Sequence, residues 1–371
     1  MSHPLRIRLV ELAERDPDGS LTAAVGDVLA SGRFLLGSRL EALEVALARS
    51  CSVRRAVGVG SGTDALALGL TALGIGPGDE VIVPAFGAFP TAAAVVAVGA
   101  RPVLVDVEDD RPHLDRDAAL AALGPRTRAV ILVHLYGIPA DAEGWRSDLE
   151  PRGIHLIEDV AQAQGALLGD GRPAGSVGTF GALSFYPTKN LGAAGDGGAV
   201  LTDDVELAER IVLLRNHGID GDHHLVAARN SRLDEVQAAI LALRLADLGT
   251  AIERRRAVSD RYASSLPLDA RYVVHGPGGA PHLAVVRPSD PDGLLAHLAR
   301  MGIESRRHYP VPIPSQPPFA GDDHAPHPSA RRWAEQALSL PLHPGIALEQ
   351  VDEVSAAVHD HLHRSAGPTA P

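Results

Sequence analysis

One lysine stands in this chain of 371 residues, and it is Lys189. The chain has 34 Lys and Arg residues, so every other basic side chain of that pair is arginine. Arginine replaces lysine on a surface, and a bias toward arginine accounts for the rest. It cannot replace lysine where an amine must lose its proton and attack a carbonyl carbon, because guanidinium stays protonated. Lys189 lies in Ser184-Phe-Tyr-Pro-Thr-Lys-Asn190, just past an apolar run and ahead of the cluster Gly195-Asp-Gly-Gly198. Partial burial there lowers the amine pKa and frees the nucleophile. Taken alone, a solvated surface lysine fits the same place; the neighbouring signals decide between the two.

Three further segments carry chemistry. Gly58-Val-Gly-Ser-Gly-Thr-Asp64 follows an apolar run and opens a helical one. Its glycines let the backbone approach an anion, the helix N-terminus offers free N–H groups, and Thr63 adds a hydroxyl. A tight turn capped by Thr63 or Asp64 would look the same. In Leu156-Ile-Glu-Asp-Val-Ala-Gln162 a strand-like run ends on Glu158-Asp159. A carboxylate at the end of a buried strand needs a cation, and a protonated pyridine nitrogen is one; capping of the next helix is the other reading of Asp159. Arg229-Asn-Ser-Arg-Leu-Asp-Glu-Val-Gln237 is a polar turn opening a long helix, with Asn230 or Ser231 as a possible N-cap. An imine-forming lysine, an anion cradle and a carboxylate for a pyridinium together describe a pyridoxal-phosphate site.

The elements that must position these residues follow from periodicity. Two amphipathic helical stretches fill the first fifty residues, broken between Gly32 and Gly37. Apolar runs at Ala56–Val59, Glu80–Val83, Pro102–Val107, Ala129–Leu135, Ile154–Ile157, Gly181–Phe185 and Gly198–Leu201 alternate with helical segments. That alternation predicts a mostly parallel sheet covered by helices on both faces, with ligands beyond the carboxyl ends of the strands. A long helical stretch runs from Leu233 to about Ser265. Beyond it the pattern predicts strands at His282–Arg287 and Ile303–Arg307, helices at Pro291–Met301, Ala330–Leu338 and Leu348–His363, and a disordered tail in SAGPTAP. The expected division is residues 1–245, an N-terminal segment with a large cofactor-binding α/β domain, and 246–371, a small α+β domain.

Composition bounds the function. A formal net charge of -12 argues against nucleic acid as the main partner. One cysteine, Cys51, excludes an internal disulfide framework and argues against a cysteine metal site. No metal is expected: His223 and His224 are adjacent, do not share a face, and have no third ligand at helical spacing. The N-terminus has no apolar core of a signal peptide, and the run Thr91–Ala100 is about half the length a membrane helix needs, so a cytoplasmic protein is expected.

The chain order of these signals, with the strings GVGSGTDAL, GIGPGDEVIVPA, PVLVDV, VHLYG, IEDVAQAQGA, SFYPTKNLGAAGDGGAV, LRNHG, NSRLDEVQAA and LSLPLHP, resembles the DegT/DnrJ/StrS family of pyridoxal-phosphate sugar aminotransferases. The resemblance spans about residues 20 to 355. It implies a fold type I aminotransferase, with a mostly parallel seven-stranded sheet in the large domain. It also implies roles: Lys189 holds the cofactor as a Schiff base, Asp159 pairs with the pyridine nitrogen, Gln162 lies near the phenolic oxygen, and Ser184, Gly62 and Thr63 bind the phosphate. Asn230 would reach the phosphate of the neighbouring subunit, so a homodimer would share its active sites.

There are departures from the family pattern. Where it stacks an aromatic on the ring, this chain has Ala88 in Pro84-Ala-Phe-Gly-Ala-Phe-Pro90, which leaves Phe86 or Phe89 to take over. A family histidine is Gln164 here, and another is Pro314. His308, Tyr309 and Arg232 are the expected substrate contacts, with Arg306 or Arg307 for a diphosphate. A dehydratase branch of the family carries histidine in place of the lysine, so Lys189 favours transamination. The implied reaction moves an amino group from L-glutamate to the ketone, at C-3, of a nucleotide-linked (dTDP) 6-deoxyhexose. The alternatives are a cyclitol or aminoshikimate-type ketone, or a cofactor-binding regulator of the same fold.

Overall fold

The computed structural model describes residues 5–12, 16, 18–320 and 326–365; the SAGPTAP tail lies outside them apart from Ser365. Helices α1 (Ser20–Ser31) and α2 (Ser38–Ser50) come first. Then strands β1 (Arg55–Val59), β2 (Glu80–Pro84), β3 (Arg101–Val105), β4 (Thr127–Val133), β5 (His155–Asp159), β6 (Phe180–Ser184) and β7 (Gly198–Thr202) form one sheet in the order β1-β7-β6-β5-β4-β2-β3. Only β7 runs against its neighbours, pairing antiparallel with both β1 and β6. All seven expected runs are strands of this sheet, and their near-continuous apolar composition matches burial on both faces.

Helices α3 (Gly62–Ala72), α4 (Pro90–Ala97) and α7 (Val205–Arg215) cover one face, where Leu66, Leu70, Val95 and Ile211 meet Val57, Val83 and Ile131. Helices α2, α5 (Arg116–Ala121), α6 (Ala142–Leu149) and α8 (Glu235–Ala246) cover the other, with Leu43, Trp145 and Leu241 against Ile82, Leu132 and Leu183. A two-residue hairpin, β8 (Ile219–Asp220) and β9 (His223–His224), projects between α7 and α8.

The long helix expected from Leu233 to Ser265 is divided. Helix α8 ends at Ala246, and Asp247 is both its C-cap and the N-cap of α9 (Leu248–Ser265). Asp247 is a poor helix interior residue, and Gly249 follows two positions later. Beyond α9 come β10 (Ala284–Val286), α10 (Pro291–Arg300), α11 (Pro328–Gln336), β11 (Leu338–Leu340) and α12 (Leu348–Ser365). Val286, Leu294, Leu298, Leu340, Val354 and Val358 form a third core here, joined by Val258 and Tyr262 of α9.

The second strand of this part is not where it was expected. The partner of β10 is β11, in antiparallel register. Ile303–Arg307 makes only single bridges, Ile303 to Ile7 and Arg306 to Ser339. The Arg307 guanidinium instead donates to the carbonyls of Ala334 and Ala337 at the end of α11. That helix stops at Gln336, which frees Leu338 for the ladder. No helix among the described residues is long and apolar enough to cross a membrane.

Candidate active site

A cavity of about 410 Å³ opens at the carboxyl ends of β1, β5 and β6. Its walls include Gly62, Thr63, Asp159, Ser184, Lys189 and Tyr309. The signals of three distant segments therefore meet in one place, at the strand ends where an open α/β sheet binds its ligands.

The Gly62 end of the cavity is built by close backbone approach. Ser61 caps α3, accepting the Asp64 N–H at 3.0 Å; neither Thr63 nor Asp64 serves as the N-cap. A Cβ on Gly62 would lie 2.6 Å from the Ser184 Cβ, and one on Gly198 would lie 2.4 Å from the Ser61 carbonyl. Only glycine lets the start of α3 sit this close to the end of β6 and the start of β7. The result is a cup with a helix N-terminus and the hydroxyls of Thr63 and Ser184, suited to a dianion. Ser231 steadies the loop from behind, its hydroxyl accepting the Gly60 N–H at 3.0 Å.

Asp159 ends β5 and lines the cavity. Its Oδ1 accepts the Ala161 N–H at 3.1 Å and its Oδ2 accepts the Thr91 hydroxyl at 2.8 Å. No α-helix follows it among the elements, so it is not a helix cap. Glu158, its neighbour, points to the opposite face and is fully buried. Burial alone would raise its pKa, but the His134 ring and the N–H groups of Gly178 and Gly175 outweigh this and hold it below the usual value. The Val177 N–H also donates to it at 2.8 Å. Because His134 Nδ1 accepts the Ala140 N–H, its hydrogen sits on Nε2, facing Glu158 at 2.9 Å.

Lys189 follows β6 in a turn closed by its N–H to the Tyr186 carbonyl at 2.9 Å. Burial lowers its amine to about 8, opposed by the negative charge of Asp159. Gln162 is held on both sides: its Oε1 accepts the Tyr136 N–H and its Nε2 donates to the Tyr309 hydroxyl. Burial pushes that hydroxyl up to about 12, with Gln162 opposing and Asp159 adding to the rise, so Tyr309 stays protonated.

The remaining expected residues separate. Phe89 lines the cavity beside Ala88, and packs 5.8 Å from Phe319. Phe86 does not line it: it is buried and stacked on Trp333 at 5.8 Å, part of the core under the wall. His308 turns away to Ser339, which it meets at 2.8 Å, while the next residue, Tyr309, faces the cavity. Asn230 is exposed on this chain and bridges Asn216. Arg232 donates to the Asn216 side chain at 3.1 Å, away from the cavity walls. Neither Asn230 nor Ser231 caps α8; its N-cap is Asp234. Thr91, Tyr186 and Asp196 line the cavity without having been singled out by sequence.

These residues fit pyridoxal phosphate: a glycine-lined cup for the phosphate, a carboxylate for the ring nitrogen, and one amine of lowered pKa in the same cavity. The sequence model described as the DegT/DnrJ/EryC1/StrS aminotransferase family matches residues 16–359. A dTDP-3-amino-3,4,6-trideoxy-alpha-D-glucose transaminase of Streptomyces venezuelae is 46% identical over 351 residues, 92% of each chain. The crystal structure of DesV from S. venezuelae, in complex with a ketimine intermediate, superposes with a TM-score of 0.92 at 44% identity, covering 96% of this chain and 98% of that one. That of ntda from Bacillus subtilis, with bound cofactor PMP, gives 0.88 at 30% identity, covering 95% and 83%.

Proposed function

The chain belongs to the DegT/DnrJ/EryC1/StrS aminotransferase family and uses pyridoxal phosphate, and on that premise we propose that it carries an amino group from L-glutamate to the C-3 ketone of a dTDP-linked 6-deoxyhexose. The observation that carries the site assignment is the meeting of Lys189, of lowered pKa, with Asp159 and the Gly62–Ser184 cup in one cavity. The relatives' activity on a 3-amino dTDP sugar supports the choice of substrate.

When bound, the cofactor supplies an aldehyde for amine exchange and a ring that accepts electrons from the substrate carbon. Asp159 would meet the ring nitrogen with its carboxylate. Gly62, Thr63 and Ser184 would hold the phosphate. Lys189 Nζ, with a pKa near 8, takes the proton from the α-carbon of the amino donor and returns one on the way to product. Phe89 and Ala88 shape the wall above, and Tyr309, protonated, offers a donor from the C-terminal part.

On this reading residues 1–245 hold the cofactor and residues 246–371 supply a substrate-side wall. A second copy of the chain covers Phe34, Leu35, Leu36, Leu225 and Val226, all exposed here, and receives Asn230 at its phosphate. An acidic chain with one cysteine suits the reducing cytoplasm.

The test is conversion of a dTDP-linked 3-keto-6-deoxyhexose with glutamate, with the product identified by mass and NMR. A UDP-linked 2-acetamido-3-ketohexose and a cyclitol ketone serve as competing substrates. Amination of the dTDP sugar at C-3 is expected; preference for either competitor overturns the substrate. Lys189→Arg keeps the charge and is expected to abolish turnover and borohydride trapping, and a pyridoxyl label on any other residue overturns the site.

A further inference from the structure

The Asp159 carboxylate is held from two directions. One oxygen takes the Ala161 N–H, two residues on in its own turn. The other takes the Thr91 hydroxyl at 2.8 Å, from the first turn of α4 and 68 residues away in sequence. Thr91 is 3% exposed, and both residues line the cavity. A threonine hydroxyl has a single hydrogen to donate, and here it goes to Asp159. β-Branching leaves Thr91 few rotamers, and Pro90 fixes the start of the helix that carries it. A carboxylate accepting one bond on each oxygen cannot rotate about its Cβ–Cγ bond without breaking one of them.

We propose that Thr91 is a positioning residue: its hydroxyl sets the plane in which Asp159 meets the ring nitrogen of the cofactor. This rests on the reading of Asp159 given above. Thr91 does not touch the reacting atoms; it acts through the aspartate, as outer partners orient the ligands of a metal. Each oxygen keeps acceptor capacity beyond the bond it already makes, so the aspartate can serve Thr91 and a pyridinium together.

The experiment measures binding of pyridoxal phosphate and of 1-deaza-pyridoxal phosphate, which lacks the ring nitrogen, to wild type, Thr91→Val and Thr91→Ser. Valine keeps the shape and removes the donor; serine keeps the donor. Thr91→Val is expected to lose about tenfold in affinity for pyridoxal phosphate, the scale of a hydrogen bond to a charged group. It should bind the deaza analogue as wild type does, and Thr91→Ser should recover most of the loss. Equal losses for both cofactors, or no loss for either, overturn the proposal, since a packing role would not distinguish the ring nitrogen. If wild type itself holds both cofactors equally, the assignment of Asp159 to the ring nitrogen falls instead. Melting temperatures of the apoproteins separate misfolding from these outcomes, and an unfolded Thr91→Val is replaced by Thr91→Cys.

Discussion

Gln162 Nε2 donates to the Tyr309 hydroxyl across 2.8 Å, and the two residues lie 147 positions apart. The bond joins the turn after β5 to the segment that closes the cavity from the C-terminal part. The other end of the Gln162 amide is already taken by the Tyr136 N–H at 2.9 Å. Tyr136 in turn donates its hydroxyl to the His308 carbonyl. Tyr309→Phe leaves a buried donor unpaired, which costs about 1–3 kcal/mol. Cofactor affinity is expected to fall, measured by equilibrium dialysis. With its pKa at about 12, Tyr309 does not titrate near neutrality. The pH profile of kcat between pH 6 and 9 should therefore keep its shape in the variant; loss of an inflection would identify Tyr309 as a titrating acid.

Lys189 has a pKa of about 8 in the folded apoprotein, against an unfolded value near 10.4. The folded state therefore binds fewer protons than the unfolded one between these pH values, and stability rises with pH across that window. Below about pH 8 both states carry the proton, and the buried charge opposes folding in full. Lys189→Met is accordingly expected to raise the melting temperature of the apoprotein at pH 7. The gain should shrink as the pH climbs from 8 toward 10. A gain that is constant over this range would refute the lowered pKa.

Glu158 is fully buried and accepts N–H groups of Gly175, Val177 and Gly178 as well as the His134 ring. Glu158→Leu removes the charge and orphans these four donors. A loss of roughly 3–5 kcal/mol is expected, the range for breaking a buried pair, read as a shift in the urea midpoint. Its lowered pKa gives the sign of the acid response. The stabilisation is present above the unfolded pKa of about 4.3 and is lost as the pH falls through the folded value. The variant should therefore lose less stability than wild type on acidification.

Gly62→Ala tests the phosphate cup directly. The added Cβ would stand 2.6 Å from that of Ser184, so the start of α3 or the end of β6 must move. Displacement by a fraction of an ångström is enough to spoil a positioned site, and a loss of cofactor affinity of at least about tenfold is expected. Thermal stability of the apoprotein gives the control, since the clash is local. Unchanged affinity would remove the cup from the binding site.

Much of this was legible in the chain. The seven strand runs stand where apolar periodicity placed them, because a doubly covered sheet writes a nearly continuous apolar signal. Lys189, Asp159, Ser184 and Gly62 meet because each lies at or just past the carboxyl end of a strand, the one place such a sheet brings together. What remained hidden depends on pairing across distance. Thr91 opens the apolar run Thr91–Ala100, just past the segment that drew notice for its aromatics, and nothing local shows that its hydroxyl faces Asp159. Phe86 looked equivalent to Phe89, yet side-chain direction sends one into the Trp333 core and the other to the cavity. Glu235 lay inside the helical stretch expected from Leu233, but its carboxylate caps a different helix, taking the N–H groups of Gly37, Arg39 and Leu40. The C-terminal ladder was misplaced because three-residue strands carry too little alternation to outweigh a neighbouring helical pattern.

The antiparallel turn of β7 has a consequence for how this protein can vary. Ser184 and Gly198 face each other as the two feet of one hairpin, and Lys189 rides on the loop between them. The proposed phosphate ligand and the amine thus share a single hairpin, built on the paired strands β6 and β7. Tyr309 and the Phe319 that backs Phe89 arrive from elsewhere in the chain. Natural drift or deliberate engineering can therefore recut the outer wall for a new sugar while the spacing between Ser184 and Lys189 stays as it is.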